Sequence, residues 1–167
     1  MKILRVFDNN NYKASWNCFK REAVRAIIIK DNKLALVKCE KEGYYKFPGG
    51  GIEAGESHME ALIRETLEET GLHIVPESIH GFGTLLEKRR SIYGNKEIFE
   101  QYSHYYFADV SEEMEQLSLD EYEMELGYYL EFTDIETARQ TNILLDNNYE
   151  SDFLLREAYI MELLLAE

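Results

Sequence analysis

The residues best suited to chemistry in this sequence are three glutamates, Glu65, Glu68 and Glu69, spaced at i, i+3 and i+4. In an α-helix this spacing places the side chains on one face, where like charges repel by roughly a few tenths of a kcal/mol per pair. A hard divalent cation such as Mg²⁺ would offset that repulsion, because it prefers carboxylate oxygens and bridges phosphates. A solvated acidic helix face is the alternative interpretation.

A run of three glycines, Gly49, Gly50 and Gly51, precedes the glutamates. Consecutive glycines exclude regular helix and regular strand and permit positive φ, so a tight loop is predicted. Because glycine has no Cβ, the backbone of such a loop can approach a metal or a phosphate. We therefore predict that the three glycines bind substrate and that Gly50 supplies a backbone ligand to the metal.

The spacing joins these features into one pattern: Gly50, five residues, Glu56, seven residues, Arg64-Glu65, then Glu68-Glu69 and Gly71-Leu72. This pattern resembles the Nudix box. One position departs from it, since Thr66 stands where the family usually has a bulky aliphatic residue. Its methyl group still suits a packing face. Because the glycine loop, Glu56 and Arg64 occur together with the acidic helix, the pattern favours a metal site over a solvated face.

The resemblance implies a role for each charged residue of the box. Glu68 and Glu69 are implied as inner metal ligands, and Glu65 as a further ligand or the general base. Glu56 is implied to contact the metal through water. Arg64 precedes Glu68 by one helical turn, and its planar guanidinium can orient a carboxylate. Glu65, Glu68, Glu69 and Arg64 are thus the predicted catalytic residues, with Mg²⁺ as cofactor and Mn²⁺ as the alternative ion.

The net charge excludes several classes of partner. With 32 acidic and 18 basic residues the formal charge is −14, which disfavours nucleic acid and anionic membranes. A phosphate substrate then needs a local cation, and the box favours a metal over a cluster of lysines and arginines. No apolar run approaches the roughly 20 residues that span a bilayer, and the first apolar patch is too short for a signal peptide. We expect a cytoplasmic protein without a membrane partner.

The helix that carries the glutamates has recognisable ends. Ser57 with Glu60 fits a capping box, and Gly71 fits a C-terminal cap, which predicts a helix over residues 58–70. At 100° per residue the three glutamates gather on one face. The opposite, packing face is predicted to comprise Met59, Ile63, Thr66 and Thr70.

Other patterns predict the remaining elements of a single domain over residues 1–167. They are a hairpin of 23–29 with 34–37, strands over 72–75, 79–87, 97–109 and 127–132, a turn at 93–96, and helices from Asp134 and after Ser151. The predicted fold class is α/β, a Nudix-type αβα sandwich in which helices cover the faces of a mixed β-sheet. Cys18 and Cys39 lack the spacing of a zinc site or a disulfide framework and are expected to be free thiols.

Three weaker features have no single interpretation. Glu121, Glu123 and Glu125 could add an acid to the site, as the family often takes one from a loop before a late strand, or could form a solvated loop. The aromatic strand over residues 102–107 could stack a nucleobase, although such side chains are more often core. None of the four histidines has ligand spacing: His58, His73, His80 and His104.

Nudix enzymes as a family hydrolyse nucleoside diphosphates linked to another moiety. The resemblance therefore implies metal-assisted attack of water on phosphorus, with a nucleotide fragment leaving. Two alternatives remain, a pyrophosphohydrolase that sanitises oxidised nucleoside triphosphates and a non-catalytic nucleotide sensor. Sensors commonly lose box glutamates, and this chain retains them. The expected partner is a small nucleotide, and a homodimer is left open.

Overall fold

The computed structural model describes residues 1–92, 94, 96–148 and 151–166, without the side chain of Asn147. The strands are β1 Ile3–Asp8, β2 Asn17–Ile27, β3 Ile29–Lys30, β4 Lys33–Cys39, β5 Tyr45–Lys46, β6 Leu72–Ile74, β7 His80–Arg90, β8 Glu97–Phe107, β9 Val110–Met114 and β10 Tyr128–Thr133. The helices are α1 His58–Thr70, α2 Glu121–Leu126, α3 Ile135–Leu145 and α4 Phe153–Leu165.

The main sheet is mixed, as predicted. Its strand order is β1-β7-β8-β2, with β1 parallel to β7, β2 parallel to β8, and β7 antiparallel to β8. A second sheet has the order β10-β4-β3, with β5 paired to β4, and β6 pairs with β9. Strand β2 joins the main sheet to the glycine loop through a bridge between Ala23 and Gly51 and through backbone hydrogen bonds on either side of it.

The alternation of side chains along the strands produces two cores. Val24, Ala26 and Ile28 belong to a cluster that includes Leu62 of α1. Ile27 points the other way, into a cluster with residues of α3 and α4, because successive side chains of a strand lie on opposite faces. Helices therefore cover both faces, which confirms the predicted αβα sandwich.

The predicted hairpin is present but shorter than expected. Asp31 and Asn32 have φ of 51° and 61°, the left-handed conformation of a two-residue turn, and only β3 pairs with β4 across it. The rest of the predicted first strand belongs to β2, which begins at Asn17 and pairs with β8 over its whole length. In the predicted turn at 93–96, Tyr93 and Asn95 lie outside the described residues.

The boundaries of the strands and helices that were predicted after α1 agree with the observed ones to within three residues. Strands β1, β5 and β9 and helix α2 were missed. Helix α2 did have a signal, because Asp120 and Glu123 form a capping box and Gly127 ends the helix at φ 68°. Within the described ranges, no helix combines the length and apolarity needed to cross a membrane. Cys18 and Cys39 are free, as expected.

Candidate active site

Helix α1 begins and ends as the sequence predicts. The Ser57 hydroxyl accepts the Glu60 N–H, and the Glu60 carboxylate accepts the Ser57 N–H at 2.8 Å. Gly71 ends the helix at φ 72°, donating its N–H to the Leu67 carbonyl. A Cβ on Gly71 would lie 2.2 Å from the Glu115 carbonyl oxygen. Both ends of the glutamate helix are therefore fixed by backbone geometry.

Arg64 contacts several residues of the predicted site at once. Its Nε and Nη2 donate to the two carboxylate oxygens of Glu56 at 2.8 and 2.9 Å, a bidentate pair. Its Nη1 donates to Glu65 at 2.8 Å and to Glu68 at 3.2 Å, and its Nη2 also reaches the Gly51 carbonyl at 3.3 Å. One planar guanidinium thus contacts three glutamates and the glycine loop.

Glu69 occupies a different environment from Glu65 and Glu68. It stands at i+7 from Leu62, so it lies on the buried stripe of α1 and is only 1% exposed. Lys46 donates to one of its oxygens at 2.5 Å, and the Gly49 N–H donates to the other at 2.9 Å. The prediction that all three glutamates face away from the packing side is therefore wrong for Glu69.

The predicted packing face of α1 is confirmed in part. Thr66 and Thr70 are buried, and Ile63 packs partly buried against the cluster around Leu62. Met59 is 52% exposed, so its assignment was wrong. The buried stripe includes Ala61 and Leu62 instead.

The glycines of the loop serve separate purposes. Gly49 has φ 133°, and a Cβ there would lie 2.1 Å from the Val24 carbonyl oxygen. Gly50 does not have positive φ, but its Cβ would lie 2.2 Å from a carboxylate oxygen of Glu65. The Gly50 carbonyl accepts the Val24 N–H at 3.0 Å, which leaves it one lone pair for another partner. Gly49 is thus the residue with the special backbone conformation. Gly50 is the residue that a site side chain approaches closely.

This difference predicts opposite outcomes for two alanine substitutions. Gly50→Ala should displace the flexible Glu65 side chain and lower kcat about tenfold or more, with little change in melting temperature. Gly49→Ala should destabilise the fold, because its Cβ meets rigid backbone at an unfavourable φ. Thermal melts and steady-state rates of both variants test this. A Gly50→Ala protein that loses stability as much as Gly49→Ala would contradict it.

The charge balance of the cluster suits a cation. The hydrogen bonds from Arg64 lower the pKa of Glu56 to about 2. Burial raises the pKa of Glu65, opposed by Arg64 and reinforced by Glu69. Glutamates around one arginine, with a glycine carbonyl beside them, form an oxygen-only donor set of excess negative charge. Such a set fits a hard divalent ion such as Mg²⁺.

Helix α2 adds one acid to this cluster. Burial, together with its contact with the Glu69 carboxylate, raises the pKa of Glu123 to about 7. Glu121 and Glu125 are exposed. Of the three acids singled out in the sequence, the fold therefore brings Glu123 to the box and leaves the other two in solvent.

A cleft of about 740 Å³ adjoins the glutamates. Lys46 and Glu123, both in contact with Glu69, form part of its wall. Although the chain is strongly acidic, the cleft is lined by five basic residues: Arg21, Arg25, Lys46, Arg89 and Arg156. Sequence reasoning assigned the neutralising cation to the metal alone and missed this cluster, because its members come from separate segments of the chain.

Arg25 is a basic residue of the cleft with unmet hydrogen-bonding capacity. It is 8% exposed, and its Nε and Nη1 have no acceptor among the described residues. Its positive charge acts to lower the pKa of Glu65. Arg89 and Arg156 both donate to Glu87, at 2.7 and 2.5 Å, although the Arg156 Nε also has no hydrogen-bond partner among the described residues. A buried guanidinium that has two nitrogens without acceptors and lines a cleft is suited to an anionic ligand.

The aromatic residues of the cleft are not those of the aromatic strand segment. Tyr105 is fully buried and donates to Glu157 at 2.9 Å, so the core interpretation of that strand is confirmed for it. Phe19 and Phe99 line the cleft instead, with stacked rings whose centroids lie 6.1 Å apart. Phe19 is 51% exposed, which leaves a ring face available for stacking.

A sandwich of helices on a mixed sheet, with a glycine loop that leads into a capped glutamate helix, is the architecture of a Nudix domain. The chain belongs to the Nudix family, since the model of the NUDIX domain matches residues 19–148.

The chain is also similar to individual Nudix proteins. It is 49% identical over 74 residues to an ADP-ribose pyrophosphatase of Methanocaldococcus jannaschii, covering 42% of this chain and 43% of that protein. It is 31% identical over 70 residues to the Nudix hydrolase YvcI of Bacillus subtilis, covering 42% and 44%. The chain thus spans less than half the length of these relatives. A solved NUDIX hydrolase from Nitrosomonas europaea shares the fold, with a TM-score of 0.58 at 22% identity over 84% of this chain and 88% of that one.

Proposed function

We propose that this protein hydrolyses a phosphoanhydride bond in a nucleoside diphosphate linked to another moiety, in a reaction that depends on Mg²⁺, with Mn²⁺ as the alternative ion. The observation that carries the proposal is the attachment of Glu56, Glu65 and Glu68 to the single guanidinium of Arg64. The adjoining cleft is lined by five basic and four acidic residues. Glutamates held in this way are positioned in advance for a metal and for reacting phosphate.

In this proposal the glutamates bind the metal and Arg64 orients them. Glu56, Glu65, Glu68 and Glu69, with the Gly50 carbonyl, would hold Mg²⁺, which supplies polarisation of the phosphoryl oxygens and a lower pKa for bound water. Arg64 keeps the carboxylates in place. The oxygen of water bonds to phosphorus, the bridging P–O bond breaks, and a glutamate carboxylate accepts the water proton. Glu65 remains a candidate for either ligand or base.

The cleft supports a nucleotide as the substrate. Its arginines can pair with phosphate oxygens, and the exposed ring of Phe19 can stack on a base. These groups stand beside the glutamates, so a nucleotide could place its diphosphate at the metal and its base along the cleft. The negative charge of the substrate would then be neutralised by the metal and the arginines together.

The substrate panel begins with ADP-ribose, because one relative carries the name ADP-ribose pyrophosphatase. Other diphosphate-linked nucleosides and oxidised nucleoside triphosphates complete it. Reactions in ¹⁸O-labelled water with Mg²⁺, followed by mass spectrometry, show which product carries the label and so which phosphorus was attacked. We expect turnover of a diphosphate-linked nucleoside with label in a monophosphate product.

The alternatives predict different results in the same panel. Release of pyrophosphate from an oxidised nucleoside triphosphate alone would identify a sanitising enzyme. Binding of nucleotide without any turnover, at any metal concentration, would indicate a sensor and contradict the proposal. The intact box glutamates argue against that outcome.

We further propose Glu123 as the acid that α2 contributes, based on its contact with Glu69. Glu123→Asp, which keeps the charge but shortens the side chain, should lower kcat about tenfold or more by withdrawing the carboxylate from Glu69. Glu123→Gln should lower it further. Glu125→Gln is the matched control on the same helix, and its kcat should be unchanged. Equal activity of all three variants would place Glu123 outside the reaction.

A substitution of Arg25 tests whether the cleft binds the substrate. Arg25→Met keeps much of the aliphatic volume and removes the guanidinium, so we expect KM to rise about tenfold through the loss of a charge-assisted hydrogen bond to substrate. Stability should be equal or higher, because the variant no longer buries unpaired N–H groups. Melting temperature and KM measured together check both statements. A lower melting temperature with unchanged KM would show that Arg25 is structural.

A further inference from the structure

A second cluster of potential metal ligands lies away from the box glutamates. Glu22 of β2, His104 of β8 and His58 at the first residue of α1 each offer one ligand atom, and these atoms lie within 4.8 Å of one another. In the register of the sheet, His104 pairs with Val24. Glu22 is two residues from Val24, so its side chain emerges on the same face. The cluster thus joins two strands and a helix that are distant in sequence.

Both imidazole rings are held by a hydroxyl on one side. The Nδ1 of His104 lies 2.9 Å from the Thr84 hydroxyl, and the Nδ1 of His58 lies 2.7 Å from the Tyr106 hydroxyl. The His104 Nε2 contacts the Glu22 carboxylate. Metal-binding histidines are characteristically oriented in this way, with one ring nitrogen bonded to a protein group and the other directed at the metal.

The chemistry of the donors differs from that of the box. Two imidazoles and one carboxylate suit zinc and related transition metals, which accept nitrogen ligands, whereas Mg²⁺ prefers oxygen. Three protein ligands would leave a fourth position for water. We propose that Glu22, His58 and His104 form a binding site for a divalent transition metal of the zinc class, distinct from the glutamate site.

The cluster needs only a small adjustment to hold the ion. Ligand atoms about 2.0–2.1 Å from a tetrahedral zinc are separated by roughly 3.3–3.5 Å. A pair at the 4.8 Å limit would therefore close by at most about 1.5 Å, and the contact between Glu22 and His104 would open to admit the ion. The Glu22 side chain is 50% exposed and can move without disturbing the core. A bound ion would take the place of the direct contact between Glu22 and His104 and would tie α1 to the sheet.

Calorimetric titration of the full chain with Zn²⁺, in millimolar Mg²⁺ to saturate the glutamate site, tests this proposal. We expect one Zn²⁺ per chain in the wild type and a higher melting temperature when zinc is present. His58→Gln and Glu22→Gln should each weaken zinc binding about tenfold or more. His80→Gln is the control, because His80 stacks on Phe107 outside the cluster, and it should bind zinc as the wild type does.

A box variant separates the two metal sites. Glu68→Gln should leave zinc binding intact, whatever it does to nucleotide turnover, so the result does not depend on the proposed hydrolase activity. If zinc affinity is lost in Glu68→Gln, or is unchanged in both His58→Gln and Glu22→Gln, the proposal is wrong. The cluster would then be a hydrogen-bonded pair of Glu22 and His104 with a neighbouring His58.

Discussion

Replacement of Glu69 by glutamine is expected to lower kcat by about two orders of magnitude or more, the range for loss of an essential electrostatic group. The proposed metal site would lose one carboxylate while the side chain keeps its size. Because Glu69 is buried against Lys46, we also expect a lower melting temperature. Glu68→Gln should reduce kcat to a similar extent without that loss, since the Glu68 side chain is 40% exposed.

The comparison of the two variants separates catalysis from folding. Steady-state rates at saturating Mg²⁺, together with thermal melts, give both quantities, and Glu121→Gln is an exposed acidic control on α2. Activity of Glu69→Gln or Glu68→Gln within about threefold of the wild type would remove that glutamate from the proposed site. Equal losses of stability in both variants would contradict their different burial.

Replacement of Arg64 by lysine is expected to lower kcat by about ten- to a hundredfold, the usual cost of losing a residue that orients metal ligands. Lysine keeps the charge but cannot form the bidentate pair with Glu56 while also reaching Glu65 and Glu68. The carboxylates should then hold the metal less well. The concentration of Mg²⁺ that gives half-maximal rate should rise together with the fall in kcat.

A second bidentate pair provides the matched control. Arg139 of α3 donates to both carboxylate oxygens of Glu136 at 2.8 and 2.9 Å, and this pair is outside the box. Arg139→Lys should change neither kcat nor the Mg²⁺ dependence. If Arg64→Lys alters stability but leaves the Mg²⁺ dependence unchanged, Arg64 acts only in the fold.

The ends of α1 and the grouping of the box could be predicted because they depend on residues close together in sequence. A capping box, a terminal glycine and carboxylates one turn apart are all defined by helical geometry. The same local rules would have identified α2, whose capping box at Asp120 and Glu123 was overlooked. Strand β1 was missed although the asparagines that follow Asp8 are a turn signal that marks its end.

The burial of Glu69 and the partners of the box could not be predicted in this way. Which side of α1 meets the sheet depends on the packing angle, and the stripe through Leu62 and Glu69 was buried rather than the one through Met59. Lys46, Glu123 and Arg25 reach the site from other segments. No spacing rule connects them to the glutamates.

The sequence by itself determined the family, the α/β class, the glutamate helix and the residues around Arg64, because each follows from spacing within one turn, one loop or one strand. The tertiary structure decided which carboxylate is buried, where the arginines of the cleft gather, and that His58 lies beside His104. The physical reason is that contacts between distant segments depend on strand register and on how helices pack against the sheet. A periodic pattern along the chain specifies neither of these.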